Sequence, residues 1–184
     1  MTTSRSFTCL VSYFLLTLDS GLPWRPNSTE DQAATERHAA FQIGIFADPI
    51  YTTGDWPTLM TDILPPSILP RLTEEEKADI LGECDPPLDD SLTEDTTGSA
   101  DFFAIDSYRN LYVAAPLDGL NACLTNASHP LWPACNMPMF VDPDGWAAGI
   151  SPDPLTQDWA LYTPNTMRAL LKDLQRMWPT KKIV

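Results

Sequence analysis

Basic side chains are scarce in this sequence: 11 lysines and arginines stand against 25 aspartates and glutamates, a formal charge of −14 over 184 residues. A chain of that sign repels phosphate backbones and anionic membrane surfaces, which argues against nucleic acid and membrane as partners. Histidine is scarcer still, with two. The four cysteines contain no close ligand pair, since Cys9 and Cys84 stand alone and Cys123 and Cys135 lie well apart. Zinc is not indicated, and no other metal or cofactor is called for. The apolar run Phe7 to Leu16 is too short to cross a bilayer. It follows Arg5 as the apolar region of a signal peptide does, but no small-x-small cleavage site comes after it; the other reading is a buried strand ending in Leu16-Thr17-Leu18-Asp19. Nothing repeats at a fixed short period, so a solenoid is not supported.

What is present is 43% apolar content, enough for one ordinary domain with a core. Residues 1–184 are read as a single unit with no second domain. The 18 prolines fall mostly between elements, as at Pro65-Pro66, Pro86-Pro87 and from Pro130 to Pro154, which predicts long ordered connections where function resides. Two glycosylation acceptors occur, Asn27-Ser28-Thr29 and Asn126-Ala127-Ser128, the second enclosed by Cys123 and Cys135. A disulfide closing a glycosylated surface loop of a secreted protein accounts for both features; chance occurrence of a short sequon is the alternative. These signs favour secretion, without a convincing signal peptide to carry it.

Thr29-Glu30-Asp31-Gln32 has the form of a capping box, and Ala34, His38, Phe41 and Ile45 recur at helical spacing. A helix is predicted from about Glu30 to about Phe46, stopped by Asp48-Pro49. A second capping box, Thr73 to Glu76, opens a short helix that Gly82 can close, and its acidic first turn suits the helix dipole. An acidic linker follows from Asp85 to Ser99. Asp101 to Tyr108, with Phe102, Phe103, Ala104 and Ile105 unbroken, reads as a strand buried on both faces. Pro164 sits at the first position of a helix whose stripe is Met167, Leu170, Leu171, Leu174, Met177 and Trp178, and Pro179 ends it. Lys181 to Val184 resembles the opening of another strand. Strand, helix, strand, helix, strand is the order of parallel βα units, an α/β fold.

His38 lies on the apolar face of the first helix and reads as a packing residue, and His129 has no partner at ligand spacing. The Met167 to Trp178 stripe is core, neither a membrane nor a cofactor device.

Several blocks occur together in one order: Asn27 to Ala34, Phe41 to Pro49 with Ala47-Asp48-Pro49, Gly54-Asp55-Trp56-Pro57, Leu69 to Glu76, Gly98 to Phe103, Asn126 to Cys135, and Asp158-Trp159 before Pro164 and Arg168. The chain resembles family 1 glycoside hydrolases, in particular fungal-type β-glucosidases, over roughly residues 14–184. The resemblance implies a (β/α)8 TIM barrel, of which this chain supplies about strands five to seven, with the site at the C-terminal ends of the strands. It implies retaining hydrolysis of β-glucosides or oligosaccharides by two carboxyl groups about 5–5.5 Å apart. The family's Asn-Glu-Pro and Glu-Asn-Gly or Glu-Phe-Gly motifs do not occur in residues 1–184, so the chain reads as an interior fragment without measurable glycosidase turnover of its own.

By the same resemblance, Tyr108 is the tyrosine after strand six that hydrogen-bonds the nucleophile, and Trp159 is an aromatic lining the leaving-group side. Asp106 stands where the family usually has asparagine, Ser107 replaces a histidine or aromatic, and Ile45 replaces a tryptophan. A noncatalytic carbohydrate-binding or interaction protein on the same scaffold is the other expectation.

Overall fold

The computed structural model describes residues 17–81, 103, 105–150 and 161–179. Strand β1 (Thr17–Pro23) begins where the predicted strand was expected to end. The run from Phe7 to Leu16 lies outside the described residues. Ser28 then caps helix α1 (Thr29–Ala39), its hydroxyl accepting from the Asp31 amide at 3.3 Å. The cap is thus one residue earlier than predicted, because Gln32 bonds the Pro26 carbonyl at 2.6 Å rather than closing a box on Thr29.

The predicted stop at Asp48-Pro49 does not occur. After α1 the chain makes a π-helical turn, Ala40–Gly44, and continues as α2 (Ile45–Tyr51) with Pro49 inside it. The Ile45 amide reaches back to the Ala40 carbonyl, so the turn before the proline is already widened and the missing amide is absorbed. The extra residue also rotates the apolar stripe. Ile43 and Ala47 become the buried positions, while Phe41 and Ile45 pack from the side against Met60, Leu64 and Leu69.

Short helix α3 (Thr58–Thr61) precedes α4 (Glu74–Leu81). The capping box of α4 forms as predicted: the Glu76 amide donates to the Thr73 hydroxyl, and the Thr73 amide to the Glu76 carboxylate at 2.8 Å. Gly82 and the acidic linker lie outside the described residues. Gly54, at φ +69°, leaves room for this helix, since a Cβ there would sit 2.6 Å from the Lys77 carbonyl. Its neighbour Asp55 pairs with Lys77 at 2.9 Å.

Strand β2 (Asp106–Ala114) starts later than the predicted strand and runs six residues past Tyr108. The predicted strand ended at Tyr108, before the polar Arg109-Asn110, yet Asn110 is 1% exposed, its amide nitrogen donating to Thr163 at 3.2 Å and Thr166 at 3.1 Å. Strands β1 and β2 are parallel, as βα order requires. Gly21 leaves room for the Val113 side chain of β2, with which a Cβ there would collide.

After α5 (Leu120–Leu124), β3 (Met137–Met139) pairs antiparallel with β2, giving the order β1-β2-β3. Three parallel strands were expected; the third described strand instead belongs to the returning loop. Lys181 to Val184 lie outside the described residues.

Pro164 opens α6 (Pro164–Met177) as predicted, and Leu170, Leu174 and Trp178 are buried with Ile43, Ala47 and Phe103. Leu171, placed on that stripe by spacing, is instead 39% exposed at its margin. No helix among the described residues is long and apolar enough to cross a membrane.

Candidate functional site

In parallel βα folds the reacting groups sit toward the C-terminal ends of the strands. The irregular part of the β1–β2 ladder is at the opposite, N-terminal ends: Thr17 faces Asp106 and Asp19 faces Arg109, so two steps on β1 match three on β2. The extra residue falls at Ser107-Tyr108, a bulge that leaves β2 one residue longer than β1 over this stretch. The backbone therefore places Asp106 and Tyr108 at the beginning of β2, whereas the resemblance puts them at or after a strand's C-terminal end. Trp159 lies outside the described residues.

At the C-terminal ends the two strands are locked by Asp31. This carboxylate is fully buried and accepts from the Arg25 amide (3.1 Å), the Arg25 guanidinium (2.6 and 3.1 Å) and the Ala115 amide (2.9 Å). One side chain of α1 thus joins the residues leaving β1 to those leaving β2. Burial pushes the Asp31 carboxyl up, but the Arg25 and Ala115 hydrogen bonds and the Arg25 charge outweigh it and hold it below the usual carboxylate range.

Because the folded value is depressed, this contribution is whole above the ordinary carboxylate range and is lost as pH falls through the folded value. Asp31→Ala is expected to strand the buried Ala115 amide at a cost of about 1–3 kcal/mol. The Arg25 bond adds less, since solvent reaches the guanidinium. Thermal melts of Asp31→Asn should show lower stability than the native chain at neutral pH and convergence in acid. A deficit unchanged with pH would contradict the lock.

After β3 a tight hairpin is built on Asp142, whose carboxylate accepts from the Asp144 amide (3.0 Å) and the Trp146 amide (2.8 Å). Gly145 supplies the φ of +87° that closes it. The ladder continues through Ala148 to the Phe140 carbonyl at 2.8 Å. Trp24, directly after β1, donates its indole N–H to the Val141 carbonyl at 2.8 Å, fixing the hairpin to the strand end. The result is an aromatic ledge, with Phe140 51%, Trp146 74% and Tyr162 67% exposed. Tyr162 joins it through reciprocal backbone bonds with Ile150. Below it, burial and the Asp142 charge push the Tyr112 phenol up.

Sequence reasoning missed Trp24, Asp31, Phe140, Trp146 and Tyr162. The one available signal for the ledge was aromatics recurring inside a proline- and glycine-rich connection.

The other singled-out residues fall elsewhere. His38 is buried and meets Asn136 at 3.1 Å, and His129 faces Asp118 at 3.3 Å. Among the described residues no group of three His, Cys, Asp or Glu side chains is placed to hold a metal. Cys123 and Cys135 form a disulfide, with Cα atoms 5.8 Å apart. Asn27 and Asn126 are both exposed. A concavity of about 280 Å³, bordered by Glu36, Asp48, Arg176 and Trp178, lies in the helical layer. It holds none of the residues at the strand ends.

Parallel strands joined through helices, with long loops gathered beyond their C-terminal ends, are the make-up of a barrel enzyme's wall. The chain belongs to glycosyl hydrolase family 1, whose sequence profile matches residues 11–184. It is similar to a cytosolic beta-glucosidase of Cavia porcellus, 35% identical over 100 residues that make up 50% of this chain and 18% of the relative. Beta-glucosidase 2 of Trichoderma reesei, solved with Tris, shares the fold with a TM-score of 0.68 at 24% identity, covering 92% of this chain and 30% of that one. A family 1 beta-glucosidase of Humicola insolens, solved with glucose, gives 0.66 at 26% identity over 90% of this chain and 29% of that one. The chain spans less than a third of the length of each.

Proposed function

We propose that these residues form the strand-five to strand-seven sector of one retaining β-glycosidase barrel, acting on a β-glucoside or a short oligosaccharide. The observation that supports this reading is the parallel pairing of β1 with β2 across the intervening helices α1 to α4, the connection from which a barrel wall is built.

In retaining hydrolysis one carboxyl group protonates the departing oxygen while the other attacks the anomeric carbon, and a covalent intermediate is then hydrolysed. Both carboxylates come from other segments of the barrel. The Tyr108 phenol donates a hydrogen bond to the nucleophile, which holds that carboxylate ionised and oriented. Asp106, an acceptor only, takes the place of an amide and so binds donors alone. Trp159 and the aromatic ledge offer flat apolar faces on the leaving-group side.

The test has two arms. Purified 184-residue chain is expected to give no turnover of an aryl β-glucoside. In the complete barrel, Tyr108→Phe is expected to lower kcat about tenfold or more, the worth of a hydrogen bond to a charged group, and to move the acid limb of the pH profile upward. Sustained hydrolysis by the isolated chain, or an unchanged profile in the variant, would overturn the assignment. Saturable sugar binding without turnover by the folded chain would favour a noncatalytic carbohydrate-binding role.

A further inference from the structure

We propose that Asn126 carries an N-linked glycan, which places this chain on the secretory route. Three observations converge on residues 123–135. Asn126, Ala127 and Ser128 are all exposed, so the acceptor and its hydroxyl partner are open to solvent in the folded chain. The Asn126 side-chain oxygen Oδ1 accepts from the Ser128 amide at 3.0 Å, and its nitrogen Nδ2 has no hydrogen-bond partner among the described residues. The same segment is closed by the Cys123–Cys135 disulfide, both of whose cysteines are fully buried.

A buried structural disulfide persists in the oxidising compartment where oligosaccharide transfer takes place. Two chemically unrelated marks of that compartment therefore share one loop. The loop also faces the right way for a large substituent. Its far side is fastened to the helices, Trp132 packing against the Met60 cluster and the Arg37 guanidinium holding the Pro133 and Ala134 carbonyls. Asn126 takes no part in these contacts and is exposed to solvent. The aromatic ledge belongs to a later stretch of the loop and stays uncovered.

Asn27 is exposed as well, but its sequon is folded into the start of α1: Ser28 is the cap and Thr29 the first helical residue. The transfer forms a bond between Asn126 Nδ2 and the anomeric carbon of a lipid-linked diphospho-oligosaccharide. The bond from that carbon to the diphosphate breaks, the lipid diphosphate leaves with the electron pair, and the amide gives up one proton to a base.

The experiment is a peptide map of the protein from its natural source, before and after treatment with an amidase that releases N-glycans and leaves aspartate. Aspartate at position 126 after treatment is the expected result; unmodified Asn126 in the mature protein overturns the proposal. Secreted expression of two variants gives the second readout. Ser128→Ala should lose one glycan, seen as one step in gel mobility, whereas Ser128→Thr should keep it. Should the alanine variant fail to accumulate, a bare Asn126 in the threonine variant still refutes the site. The outcome is independent of the glycosidase reading, since a catalytically silent chain is modified equally well.

Discussion

Trp178→Ala is expected to lower the stability of this fold by about 3–5 kcal/mol, the range for truncating a large buried aromatic. Trp178 is 4% exposed and stacks on Phe103 at 6.2 Å between ring centres, with Tyr51 tilted against the far side at 5.1 Å. Its indole N–H also donates to the Asp48 carboxylate, across 130 residues of sequence. Truncation thus opens a cavity and removes a donor at once. Trp178→Phe separates the two effects, keeping most of the ring and deleting only the donor.

Burial already pushes the Asp48 carboxyl up, and the Trp178 hydrogen bond works against that rise. Without the donor the carboxyl rises further. A raised folded value means that the penalty is absent while the group is protonated and complete above that value. Urea unfolding of Trp178→Phe should therefore show a loss that grows from acid to neutral pH. Equal and pH-independent losses for the alanine and phenylalanine variants would show that the hydrogen bond contributes nothing.

The second large effect is expected on opening the disulfide. Closing a loop of this size constrains the unfolded chain by about 3 kcal/mol in the loop-entropy treatment. Cys123 and Cys135 are separated by 12 positions and are both fully buried, so serines at these sites also bring hydroxyls into an apolar setting. The double variant Cys123→Ser, Cys135→Ser should unfold at lower denaturant than the native chain, and the native chain plus reductant should approach it. Identical midpoints in all three conditions would show that the loop is held by Arg37 and Trp132 alone.

The elements legible in the sequence were those whose cause is local. The α4 capping box and the Pro164 start of α6 involve residues within one helical turn of each other, and both formed where expected. Elements set by distant partners were misread. The predicted strand was ended at Tyr108, short of the polar Asn110, because the partners that accept from Asn110, Thr163 and Thr166, lie more than fifty positions away. Pro49 looked like a helix stop because nothing in the local pattern announces the π-helical turn before it.

The candidate site divides in the same way. Tyr108 and Asp106 were reached through family motifs alone, and the backbone has them among the first residues of β2. Asp31 was read as a capping-box residue because its role depends on Ala115, 84 positions later. The aromatic ledge depends on Trp24 meeting Val141 across 117 positions, a contact that no window of sequence contains.

The short antiparallel strand β3 has one more effect. It pairs with Tyr112, Val113 and Ala114 on the edge of β2 away from β1. Any strand that zips onto that edge must stop before Tyr112, which leaves it residues 106–111 of β2 to pair with. At about 3.3 Å per residue, that is a contact roughly 20 Å tall. The three-residue clip therefore acts as a height gauge for the enclosure, dividing a hydrogen-bonded stave below from a rim above that loop sequence is free to reshape.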